Sequence, residues 1–114
     1  MKDRTLYRLK DVVEAIDQIE SLLRGKDHEA LVEDKITKAA FERFLEILSE
    51  ASRHIPDDMK AIRPDIPWRR ISDIGNHLRH AYDRVDSAIL WEIYASGELS
   101  TLRSAVMDFL KQDK

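Results

Sequence analysis

Hydrophobic positions recur at helical spacing along nearly the whole chain. Leu6, Leu9, Val12, Val13, Ile16, Ile19, Leu22 and Leu23 follow the helical period, with Asp3 placed to cap the start and Gly25 to end it. After a connector over 26–32, which has room for a short helical turn, Ile36, Ala39, Ala40, Phe44, Ile47, Leu48 and Ala51 repeat the pattern. Phe41 and Leu45 broaden this stripe, and a second long helix is predicted from about Asp34 to Arg53. Pro56, Pro64 and Pro67 then forbid one continuous helix, so that stretch reads as loops and short turns. Asp65 is placed to cap a helix with Pro67 in its first turn, running from about Pro67 into the low eighties. Ala88, Leu90, Trp91 and Tyr94 predict another helix stopped at Gly97, and Ser100 is placed to cap a last one carrying Leu102, Val106, Phe109 and Leu110. No segment alternates as a strand. The expected architecture is all-α, one domain over residues 1–114 folded as an up-and-down bundle of four or five helices.

Composition narrows the class. A chain of 114 residues is long enough for one modest core, and 43% hydrophobic with 36% charged residues is unlike a disordered chain. The absence of cysteine removes disulfides, thiolate metal sites and a cysteine nucleophile. No segment approaches the ~18 apolar residues of a membrane span, and Met1 to Arg4 has no apolar run of a signal peptide, so the expected location is cytoplasmic, with no membrane partner. A net charge of −3 argues against a protein that coats nucleic acid with its whole surface. Charge is uneven, however: Arg53 to Arg84 holds seven Arg or Lys against five Asp, compatible with a local basic site or with ordinary solvated charge.

The candidate chemistry sits on the helix that begins at Pro67. Ile71, Ile74, Leu78, Tyr82 and Val85 form one apolar stripe, while Asp73, Asn76, His77, His80 and Arg84 fall largely on the other side. Such a helix can simply face water, but an amide and two imidazoles are not the Lys and Glu that usually fill exposed helix faces. Asp73, His77 and His80 also have the spacing of possible metal ligands on one face, a pattern common by chance. Trp68 and Trp91 read as core anchors rather than base-stacking platforms. Glu50 reads as structural, with Arg43 placed to pair with it or another carboxylate, and His28 and His54 carry no recognisable context.

The stretch from Ile66-Pro-Trp-Arg-Arg through Gly75-Asn-His-Leu-Arg-His80-Ala-Tyr to Trp91-Glu-Ile-Tyr94 resembles the signature region of the HepT-like proteins, a branch of the HEPN superfamily. Ala40 to Ala51 resembles that family's second helix. The resemblance implies a HEPN-type helical bundle and a homodimer in which two motif helices line one cleft. It further implies a metal-independent endoribonuclease that acts as a toxin on RNA, without a cofactor, and is neutralised by a minimal nucleotidyltransferase antitoxin. His80 and Tyr82 match the family's His and Tyr, the Tyr being the residue that the partner adenylylates in some systems; packing is an equal reading of Tyr82. Asn76 matches the polar residue after the usual Arg, but Gly75 stands where that Arg belongs. A guanidinium rooted at 75 would lie about a turn and a half from His80, near enough to share a phosphate.

With the resemblance, His80 is the expected proton-transfer residue, since an imidazole titrates near neutral pH. Asn76 and Arg79 are the expected catalytic partners that stabilise charge on the scissile phosphate, and Arg69 and Arg70 the expected substrate-binding cations. The alternative implied by Gly75 is a non-catalytic HEPN module that binds a nucleotidyltransferase or a nucleotide.

Overall fold

The computed structural model describes residues 2–80 and 86–112. Tyr82, Arg84 and Val85 therefore lie outside the described residues. Among the described residues the chain is all-α, with seven helices and no strand: α1 (Asp3–Leu23), α2 (His28–Glu33), α3 (Lys35–Arg53), α4 (Asp57–Ile62), α5 (Trp68–His80), α6 (Ser87–Ala95) and α7 (Glu98–Gln112). The five longer helices correspond to the five periodic segments. The six-residue α2 and α4 fall in the connector and between the prolines, where the sequence allowed only short turns. No described helix is long and apolar enough to cross a membrane.

Helix ends follow local chemistry, with three departures from expectation. Asp27, Asp34 and Asp86 accept backbone N–H bonds and cap α2, α3 and α6. Asp3 instead begins α1 as its first residue, where a negative charge still complements the helix dipole. Asp65 does not cap α5: its carboxylate accepts two bonds from the Arg63 guanidinium, and Pro67 opens the helix by accepting from the Ile71 N–H. Ser100 lies inside α7, whose start is made by the Gly97 carbonyl accepting from Thr101. Gly25 and Gly97 hold φ of 77° and 85°, left-handed conformations in which a Cβ is strained.

Long helix α3 packs against both α1 and α5, and α7 closes on α1, so one contiguous set of buried side chains runs through the bundle. Leu9, Val12 and Ile19 of α1 meet Phe41, Leu45 and Leu48 of α3 and Leu102, Val106 and Phe109 of α7. The buried stripe of α3 is rotated from the predicted one. Ile36 is 83% exposed, whereas Thr37 is buried with its hydroxyl donating to Asp34. With neighbours on two sides, α3 turns its Phe41–Leu45–Leu48 face inward and leaves Ile36 outside. Trp68 is the core anchor its size suggested: its ring stacks on Phe109, and its indole N–H donates to the carbonyls of Lys60 and Arg63, tying the proline-rich segment to α5.

Candidate functional site

Helix α5 buries Ile71, Ile74 and Leu78 and exposes Arg69, Arg70, Asp73, Asn76, His77, Arg79 and His80. Asn76 and His80 are one turn apart on the exposed side. Arg69, eleven residues before His80, returns to nearly the same angle about the axis, ~16 Å away along it. Asn76 and His80 share no hydrogen bond in this arrangement, so the amide does not itself orient the imidazole here.

The other two arginines leave this line in opposite directions. Arg70 turns toward α7 and pairs with Glu98 at 3.3 Å. Arg79 turns toward α3, where its Nη1 lies 4.0 Å from Glu50 Oε2. Glu50 is also held by Arg53 at 3.2 Å and His54 at 3.1 Å. The hydrogen bond with His54, with the guanidinium charges of Arg53 and Arg79 behind it, keeps the Glu50 carboxyl below the usual carboxylate range. Arg43 does not pair with Glu50; it reaches Glu46, at 2.6 Å.

A groove of about 350 Å³ opens between α5 and α6. Its floor is Ile74, Leu90 and Ile93 with the exposed Ile89, and its rim carries Arg70, Asp73, Asn76 and His77. Asn76 therefore belongs both to the groove and to the exposed line that ends at His80. Asp73 and His77 line the groove while His80 does not, and among the described residues no three His, Asp or Glu side chains gather as a metal-holding group.

Gly75 is buried where α5 meets α3. Its N–H donates to Ser49 Oγ at 2.8 Å, and the same hydroxyl donates to the Ser72 carbonyl at 3.0 Å. A Cβ at position 75 would lie 2.9 Å from Ser49 Oγ, 3.2 Å from Ser49 Cβ and 3.4 Å from Arg79 Nη1. A side chain rooted at 75 therefore starts into the α3 contact, where Ser49 would have to give way. Sequence reasoning missed Ser49, a fully buried hydroxyl beside the Leu45–Leu48 stripe. The available signal was the coincidence of a small polar residue on one helix's apolar face with a glycine inside another helix.

An all-α chain with an Asn–His line exposed on one motif helix is the class that this architecture defines. The sequence matches the family described as ribonuclease HepT-like over residues 12–109, and the chain belongs to that family, within the HEPN superfamily. It is similar to the probable ribonuclease HepT of Thermococcus cleftensis, 44% identical over 74% of this chain and 76% of the relative. A Methanocaldococcus jannaschii protein named as a candidate RNase is 32% identical over 75% of this chain and 78% of its own length. Another so named, from Caldanaerobacter subterraneus subsp. tengcongensis, is 27% identical over 93% and 94%. No solved structure matches the chain. The names of these relatives mark the family as one of nuclease-type enzymes.

Proposed function

We propose that this chain is a HepT-like toxin: a metal-independent endoribonuclease whose site forms when two copies bring their α5 helices together. The observation that carries the reading is the exposed Asn76–His80 line on a helix otherwise anchored in the core. In this scheme the 2′-oxygen of RNA attacks the adjacent phosphorus and the bond to the 5′-oxygen breaks, leaving a 2′,3′-cyclic phosphate and a 5′-hydroxyl. One proton leaves the 2′-OH and one reaches the departing oxygen. His80 performs one of these transfers, and a second copy supplies an imidazole for the other. Asn76 and Arg79 stabilise the phosphate, Arg69 binds the strand about three helical pitches from His80, and Arg70 joins it if the strand displaces Glu98. The apolar groove with Ile89 55% exposed beside the line supports a second copy as its cover. In this reading residues 1–114 are one domain, and a cognate nucleotidyltransferase antitoxin neutralises the toxin by modifying Tyr82.

One observation favours a second reading, a non-catalytic module that binds the nucleotidyltransferase or a nucleotide: the motif arginine is replaced by Gly75, which α3 packs against so closely that any side chain there would displace Ser49. Purified protein incubated with RNA in chelator separates the two. Under the first reading wild type cleaves and His80→Ala, with unchanged helical content, loses about 10²- to 10⁴-fold. Under the second, both are equally inert.

A further inference from the structure

The notch at Gly75 has a second neighbour besides Ser49. Helical side chains lean toward the N-terminus of their helix, so the guanidinium of Arg79 lies back over the preceding turn. There it sits 3.4 Å from the place a Cβ would occupy on Gly75. Glu50 reaches the same guanidinium from α3, but at 4.0 Å and with two closer partners of its own. Among the described residues Arg79 is thus oriented without being saturated. Its side chain is 39% exposed, and among the described residues its guanidinium N–H groups have no closer acceptor than Glu50. Two other arginines are more fully engaged: Arg63 holds Asp65 through two nitrogens, and Arg103 holds Asp17 in the same way.

We infer that Glu50 is a positioning residue: it holds the Arg79 guanidinium over Gly75, so that the phosphate contact proposed above for Arg79 is set before a strand binds along α5. This rests on the reading of the α5 face as an RNA site. The loose pair suits such a role: a phosphate can take the guanidinium's donors without first breaking a bidentate ion pair, while the carboxylate keeps the long side chain from sampling solvent. Gly75 matters because a side chain there would fill the space over which the guanidinium rests.

The test uses full-length protein and a single-stranded oligoribonucleotide made uncleavable by 2′-O-methyl substitution throughout. Binding is measured against salt for wild type, Arg79→Gln and Glu50→Gln, and the side-chain Nε–H resonance of Arg79 is followed by ¹⁵N NMR in wild type and Glu50→Gln. Arg79→Gln is expected to lower the slope of log affinity against log salt by about one phosphate contact on a single strand, ~0.7. Glu50→Gln is expected to leave the fold intact but to sharpen and average the Arg79 resonance toward that of a freely rotating side chain. An unchanged salt slope in Arg79→Gln, or an unchanged Arg79 resonance in Glu50→Gln, overturns the inference. Cleavage of ordinary RNA by wild type but not His80→Ala is scored separately, so the ribonuclease reading can fail while the phosphate contact stands, and the reverse.

Discussion

Replacing Gly75 by alanine should destabilise the protein, against the usual rule for helices. Inside a helix, Gly→Ala ordinarily gains about 0.5–1 kcal/mol because the unfolded chain loses freedom and the helix loses none. Here the new methyl would start 2.9 Å from Ser49 Oγ and 3.2 Å from Ser49 Cβ, closer than carbon atoms pack, in a seam where both helices are anchored by buried neighbours. Overpacking of this kind costs about 1–3 kcal/mol. The net expectation is a loss of roughly 0.5–2 kcal/mol, which for a chain of this length lowers Tm by about 2–8 °C. Ser49→Ala alone should cost about 1 kcal/mol, because it removes the hydroxyl that joins the Gly75 N–H to the Ser72 carbonyl. In the double variant the 2.9 Å contact is gone, so the two losses should fall short of their sum by about 0.5 kcal/mol or more. Urea unfolding followed by circular dichroism measures all three. A Gly75→Ala protein as stable as wild type, or strictly additive losses, would refute the close approach of α3 and α5. By the same reasoning Gly75→Arg should unfold more readily than Gly75→Ala and gain no cleavage.

Three further outcomes follow. Sedimentation at micromolar concentration should give a dimer, and a species of one chain only would remove the composite cleft. Incubation with the partner nucleotidyltransferase and ATP should label the protein in a way that Tyr82→Phe abolishes; equal labelling would move the acceptor to another tyrosine, such as the 64% exposed Tyr7. The Asp34 carboxyl titrates below its ordinary 3.8, chiefly through the Thr37 hydroxyl and N–H, so its capping contribution is complete above that pH and is lost as pH falls through the lower folded value. Asp34→Ala should therefore lower Tm at pH 6, and the gap to wild type should close on acidification below 3.8; a gap independent of pH would show that the charge is irrelevant.

The sequence by itself determined that the chain is helical, where its five long helices run, and which side of α5 is polar. These follow from short-range facts: a 3.6-residue period in apolar residues, the closed φ of proline, and glycines where a helix must end in a left-handed turn. It also carried the family, because the Asn76-to-Tyr82 pattern survives as a string of residues. Tertiary structure decided what depends on a neighbour's position. The buried face of α3 was ambiguous between two overlapping stripes, and only packing against α1 and α5 together placed Phe41 inside and Ile36 in water. Asp65 had a suitable position for a cap, but a guanidinium two residues away offered it a charged partner instead. The partners of the site were hidden for the same reason. Arg70 and Arg79 differ in sequence position by nine residues but in consequence by which helix each meets, Glu98 on one side and Glu50 on the other. Position 75 read as a lost arginine along the chain; in space its hydrogen atom is what lets Ser49 approach, since no local pattern encodes the distance between two helices.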